Sequence, residues 1–443
     1  MAEKIRIKKG FDIPLAGKPS SIVTKDTITS VFAISPDDFP GPVWKAVVKP
    51  EDKVAAGDPL LIDKASGKIC LVSPVAGSVK EVHRGERRHI EFVSVVKENE
   101  SNEKTFSLPK NNADEMRELI LKSGLWAMMR QRPFDIVPSP EVTPRDIFVT
   151  AFDSAPLAGE LLTDELAKWL ESGLEILAAL TSGKVYLGIP AGSSISSKAA
   201  EVYEFEGPHP AGNVGTQIAA IKPVNKGETV WALDVVTASK IGKLIKTGKA
   251  DLSTVVAVTG PDVKDPHLVE TFVGASIATI IKNNLVKENG MRIISGNVLT
   301  GVKVSEDGFL HYPYRQITVI DEGDDADEFM GWASLSPKKF SVKRSFPAFL
   351  SGLSKPFHFD ARIKGGHRAM ILSGEYDKVF PFDIYPEFLL KAIIAKDIDK
   401  MEKLGIYEVA PEDFALPEFV DTSKIELQKI VREGLDYLRK ELS

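Results

Sequence analysis

Seven histidines, one cysteine and two glycine-rich turns are the residues of this 443-residue chain whose types invite a chemical reading. Cys70, the single cysteine, excludes a disulfide within the chain and an iron-sulfur cluster held by the usual four thiolates. Neither an H-E-x-x-H pair nor a G-x-S-x-G elbow occurs, so the signatures of zinc peptidases and serine hydrolases are missing. His83 and His89 are the nearest histidine pair, and on a strand their spacing of six puts both on one side. Arg84, Arg87 and Arg88 beside them disfavour a bound cation and predict an exposed basic edge. Asp321 to Glu328 packs six carboxylates into eight residues. The alternate-residue spacing of a calcium loop is absent, which predicts a solvated loop. Gly207 and Gly212 have Walker A spacing, but Asn213 and Val214 stand where phosphate and magnesium need Lys and Ser or Thr. Gly188-Ile-Pro-Ala-Gly192 follows a strand pattern without being G-x-G-x-x-G, and reads as a rigid crossover turn.

The elements that would position these residues fall into four segments. Residues 1–100 are rich in β-branched residues and turn signals and predict a compact β unit. The order of its turns, Gly57-Asp58, Asp63-Lys64-Ala65 and Ser73-Pro-Val-Ala-Gly77, resembles lipoyl and biotinyl carrier domains, and implies a barrel-sandwich hybrid. In such carriers the tip lysine holds the swinging cofactor. Here Leu61-Ile62 precede the Asp-Lys pair, and Lys64 is read as an unmodified turn lysine on a reused scaffold. After a polar linker, residues 101–251 alternate helices and strands: a helix Asp114 to Ser123, a strand Asp146 to Thr150, helices Asp164 to Leu170 and Gly173 to Leu180, and a strand Lys184 to Ile189. This order predicts a Rossmann-like α/β domain with a parallel sheet. Residues 252–330 resemble the β-grasp fold of soluble-ligand-binding (SLBB) domains, with a strand, a Gly260-Pro261 turn, a strand near Leu268 to Phe272 and a helix from Ser276. Residues 331–443 are mainly helical, with an amphipathic Pro386 to Leu404 and a capping box of Ser423 and Glu426 ahead of the last helix. The fold class is therefore multidomain α/β.

Lys and Arg number 56 against 62 Asp and Glu, a net charge of −6. No global basic field exists to hold nucleic acid. The longest mostly apolar run, about Phe272 to Ile281, falls well short of the roughly 18 residues of a membrane span. The first residues lack the apolar stretch of a secretory signal. A cytoplasmic chain is expected.

Taken together, KIRIKKGFDIPLAGKP near the start, SGLWAMMRQRPFDIVP from Ser123, DSAPLAG from Asp153, GPHPAGNVGT from Gly207, VWALDVVTASKIGKLIKTGK from Val230, ISGNVLTG from Ile294 and FPFDIYPEFLLKAIIAKD from Phe380 resemble the A subunits of sodium-translocating NADH:quinone oxidoreductases. The resemblance runs over nearly the whole chain. It extends to the NADH-binding flavoprotein subunit of complex I and the C subunit of Rnf complexes. In the complex I relative, a glycine-rich loop at the segment Trp126 to Phe134 lets backbone amides approach flavin and NADH. Here that segment contains no glycine, which argues against both ligands on steric grounds.

The resemblance implies a peripheral subunit on the cytoplasmic face of the bacterial inner membrane. It has no cofactor, metal or catalytic residue of its own. Its partners are the other subunits of a membrane-embedded complex, which carry the flavins and iron-sulfur centre, and quinone is the substrate of that complex. Reduction of quinone is coupled to sodium export. A quinone headgroup needs a flat apolar slot and donors to its carbonyl oxygens. Arg130, Arg132, Pro133 and Phe134 offer that combination, with His209 as a further donor if the fold brings it close. The alternative is a docking scaffold without a ligand, in which these residues only pack or pair.

Overall fold

The structure, a computed structural model, describes residues 2–98, 102–110, 112–160, 162–324, 339–343, 345 and 356–442. Runs of β-branched residues between the Pro50, Gly57 and Ser66-Gly67 turns fold into two small antiparallel sheets facing each other. One joins Val31–Ile34, Ile90–Lys97, Gly77–Arg84 and Lys53–Val54; the other joins Trp44–Ala46, Pro59–Asp63 and Cys70–Val72. Leu60, Leu61, Val93 and Val95 are fully buried between them, so Leu61-Ile62 belongs to strand packing. At the hairpin tip Lys64 is exposed, and the Asp63 carboxylate accepts from the Ser66 amide at 2.8 Å and hydroxyl at 2.6 Å.

The α/β sheet runs in the order Glu3–Arg6, Glu201–Glu206, Val185–Pro190, Asp146–Thr150, Val230–Asp234 and Arg130–Arg132. Its first five strands are parallel and the last is antiparallel. A second six-stranded, mixed sheet runs Val302–Val304, Met291–Ser295, Gln316–Asp321, Ser253–Thr259, His267–Phe272 and Val23–Lys25. The first 100 residues thus serve three units: Glu3–Arg6 completes the α/β sheet and Val23–Lys25 edges the β-grasp sheet.

Helices α1 (Ala113–Lys122), α2 (Asp164–Leu180), α3 (Val214–Ile221) and α4 (Val235–Thr247) flank the α/β sheet, and α5 (Pro386–Ile394) and α6 (Leu427–Leu442) build the C-terminal region. The two helices expected at 164–170 and 173–180 are the single α2, because Gly173 interrupts nothing. A Cβ there would lie 2.0 Å from the Ala238 carbonyl of α4, and one at Gly242 would lie 2.2 Å from the Trp169 carbonyl of α2. The glycines interlock the two helices at close range.

The amphipathic Pro386 to Leu404 stretch is broken. α5 stops at Ile394, Lys396 takes φ +54°, and a short helix Ile398–Lys403 follows. The expected Ser423 and Glu426 capping box does not form. Ser423 Oγ donates to the Ala369 carbonyl at 3.0 Å, and the Gln428 amide of α6 is satisfied by Glu418 Oε2 at 2.9 Å. His83 and His89 do not share a strand face either, because residues 85–89 form the turn between two paired strands. His83 stacks on Phe92 near Glu81 and Glu91, while His89 meets Asp37 at 2.8 Å. Of the acidic run, Asp321 pairs with Lys287, and Glu322 pairs with Arg292 at 2.5 Å and Lys303 at 3.1 Å; residues 325–328 lie outside the described residues.

Candidate functional site

In open α/β sheets, ligand sites gather at the carboxyl ends of the strands, where the loops diverge. Here the loop after Asp146–Thr150 and the end of the Val230–Asp234 strand line a cleft of about 520 Å³, closed by the 296–302 and 312–316 segments of the β-grasp unit, the 37–40 loop and the Pro411-Glu412 turn. That volume lies in the small-molecule range.

One wall is built by Asp234. As the last residue of its strand it caps α4 through the Thr237 amide at 2.7 Å, and both its oxygens accept from Arg315, at 2.6 and 3.2 Å. Burial works to raise its pKa, but the Arg315 guanidinium and the Thr237 hydrogen bonds outweigh burial and hold it below the usual value. On the adjacent wall the Tyr312 hydroxyl donates to the Met128 carbonyl at 2.5 Å, and burial pushes its pKa up to about 12. Its ring stacks on Phe39 at 4.9 Å.

Arg130 and Arg132 lie on the antiparallel edge strand, where alternate residues share a face. Both line the cleft, together with His209. The Arg130 guanidinium sits over the rings of Tyr312 and Phe39, at 5.3 and 5.9 Å. It donates to the carbonyls of Ala127, Met129 and Asp38 at 2.8 to 3.2 Å. Arg132, 2% exposed, is surrounded by Glu412 at 2.7 Å, Asp413 at 3.4 Å and Asp135 at 3.6 Å. Burial acts against its charge, and the three carboxylates overcome that penalty and raise its pKa.

His209 Nδ1 lies 3.0 Å from Ser154 Oγ, which accepts from the Gly212 amide at 2.8 Å. Burial pushes the imidazole pKa down to about 4, so the ring is neutral at physiological pH. The same bonds tie the 207–215 turn to the 152–154 loop, leaving no open phosphate cradle. Pro133 and Phe134 are not among the cleft-lining residues. Phe134, at φ +81°, turns away and meets Tyr407 edge-on at 6.5 Å within the C-terminal core.

The steric reading of 126–134 changes in detail. Trp126 is fully buried against Trp231 and donates to the Pro138 carbonyl at 2.9 Å, so it does not fill the cleft. Met128, Arg130 and Arg132 are the side chains of this segment that occupy the cleft wall.

Seven carboxylate residues and three arginines line the cleft, which is therefore acidic. Asp153 keeps surface open to the cleft, yet protein atoms crowd its carboxyl and raise its pKa against the amide of Ala155 and the charge of Arg315. Sequence reading missed Asp234, Arg315, Glu412 and Asp413. Asp234 alone carried a signal, as an Asp between an apolar strand and a helical run. Among the described residues no group of three His, Cys, Asp or Glu could hold a metal ion, and no helix is long and apolar enough to cross a membrane.

Comparison with known proteins agrees with this architecture. Residues 5–98 match the NqrA N-terminal barrel-sandwich hybrid domain, 111–250 the NqrA second alpha/beta domain and 255–306 the NQRA C-terminal domain. Proteins named as the A subunit of the Na(+)-translocating NADH-quinone reductase are similar throughout: 36% identity in Pasteurella multocida, 37% in Serratia proteamaculans and 35% in Neisseria meningitidis serogroup A, each covering 99% of this chain and 100% of the relative. The chain belongs to the family of A subunits of the Na(+)-translocating NADH-quinone reductase.

Proposed function

We propose that this chain works on the cytoplasmic face of the membrane as a subunit that contributes to quinone reduction coupled to sodium export, with its cleft facing the quinone and with electrons delivered by cofactors on other subunits. The observation that carries this reading is the cleft at the carboxyl ends of the parallel strands, which gathers Arg130, Arg132 and His209 on its walls. A neutral planar ring suits an acidic cleft better than a phosphorylated cofactor does, because each phosphate would meet the surrounding carboxylates. A second reading, a docking scaffold without a ligand, is favoured by a specific observation. Both guanidinium groups are already engaged, Arg130 by carbonyls and Arg132 by carboxylates.

The two readings separate in the assembled complex. Under the first, a photoreactive quinone labels peptides lining the cleft. Ala158→Trp, which adds bulk at a cleft-lining residue that is itself uncharged, then raises the apparent KM for quinone severalfold and leaves NADH oxidation with an artificial acceptor unchanged. Labelling confined to other subunits, with unaltered quinone kinetics in Ala158→Trp, identifies the scaffold.

A further inference from the structure

The contact between Arg132 and the turn Pro411–Phe414 has more negative than positive charge, around a guanidinium that is itself buried. Three carboxylates, on Asp135, Glu412 and Asp413, lie within 4 Å of one guanidinium. Asp413 has a fully buried side chain. Its Oδ2 accepts from the Ala410 amide at 2.8 Å and faces Arg132, while its Oδ1 is buried without a hydrogen-bond partner. A carboxylate left in this state costs far more than a carboxylic acid.

Among the described residues no second cation pairs with Glu412 or Asp413. Asp413 abuts Gly215 at the start of α3, where a Cβ would lie 2.3 Å from Oδ1. Asp153, from the loop after the Asp146–Thr150 strand, adds a further acid, and Tyr314 of the β-grasp unit contributes a phenol held neutral by burial. Arg432 of α6 reaches the Asp135 carbonyl at 3.3 Å and the Asp436 carboxylate at 2.7 Å. One guanidinium therefore faces three carboxylates.

We propose that the Glu412 and Asp413 carboxyl groups gathered on Arg132 hold one proton which fastens the C-terminal region to the α/β domain, and that its release as pH rises loosens this turn and opens the cleft edge formed by Pro411 and Glu412. Crowding by protein atoms raises both acids, Glu412 to about 7 and the fully buried Asp413 to about 6, against the pull of Arg132. The Glu412 side chain keeps 38% of its surface exposed, which gives the proton a path to solvent. A raised carboxyl pKa means that the folded state binds more protons than the unfolded one between the ordinary and the raised value. Stability is then lost as pH rises across that window, and the loss is complete above the raised value.

Hydrogen exchange of the full-length chain, corrected for the intrinsic pH dependence, tests it. Protection of peptides spanning 405–420 should fall by about tenfold between pH 6 and pH 8, because one proton with a pKa midway in that interval is bound in the closed state over only the lower of its two decades. The isosteric Glu412→Gln and Asp413→Asn variants should flatten that dependence. Infrared spectra of the wild type should show a carboxylic acid band that titrates near neutrality and is diminished in each variant, a reading that needs no variant to fold. Constant protection in the wild type, an equal fall across the entire chain, a fall retained in both variants, or no titrating acid band would each overturn the proposal.

Discussion

Lys240 illustrates how much a single buried charge decides. It lies on α4 with 1% of its surface exposed, and its ammonium donates to the Ser253 carbonyl at 2.5 Å. Burial, then the charge of Arg315, pushes its pKa down to about 8 from 10.5, with Asp251 and Asp234 opposing. Below pH 8 the folded state carries the full cost of a buried cation. Between about pH 8 and 10.5 the unfolded state binds more protons, so stability rises with pH. Lys240→Met should therefore stabilise the chain at pH 7 by ~1–3 kcal/mol, net of the lost hydrogen bond. Urea denaturation should show this advantage shrinking above pH 8, and a constant difference from pH 7 to 10 would contradict it. Arg132→Ala acts in the opposite direction. It removes the guanidinium that Asp135, Glu412 and Asp413 face and should cost ~3–5 kcal/mol, measured by the same method. The sequence could not reveal this role. Arg132 was legible as a donor beside Phe134, but its partners Glu412 and Asp413 stand 280 and 281 residues away.

Elements were more legible than their partners, because local period and local chemistry suffice to form them. The strand at 146–150 and the α1 helix, stopped by Gly124 at φ +82°, follow from apolar runs and turn residues alone. Pairing across the chain left no such signal. The alternation of Ile5 and Ile7 with Lys and Arg marks a strand, but not that it completes the parallel sheet of the second unit. Gly173 misled for a related reason. Within the helix it looks like a break, and the Ala238 carbonyl that requires it belongs to α4. Gly173→Ala gains up to about 1 kcal/mol of helix propensity. It also forces a methyl group into a backbone oxygen at 2.0 Å, and separating α2 from α4 exposes the packing of Leu174, Leu177 and Ile241. The net result should be a loss of ~1–3 kcal/mol and a lower Tm in calorimetry. A rise in Tm would mean that the helices yield at little cost.

For the whole molecule, the decisive feature is where the four units place their charges. The chain carries only −6 overall, yet all four units converge so that seven carboxylates and three arginines line one cleft. Arg315 is committed to Asp234, and Arg132 to Glu412, Asp413 and Asp135. Little positive charge is left for an incoming anion. A phosphate charge held ~8 Å from one uncompensated carboxylate is repelled by about 2 kcal/mol at an effective dielectric of ~20. Two such charges lower affinity by roughly 10³. The side chains of Met128 and Arg130 occupy the wall that a bare glycine backbone would leave open. The purified chain should accordingly be colourless, and calorimetry should detect no binding of FMN or NADH at micromolar concentrations. Repulsion of this kind is screened by salt, whereas obstruction by side chains is not. If electrostatics were the sole barrier, weak binding would emerge at high ionic strength; if Met128 and Arg130 block the site, none appears at any salt concentration. Stoichiometric micromolar binding of either ligand at low salt would show that the cleft rearranges to receive a phosphate, and would remove the argument for a neutral occupant.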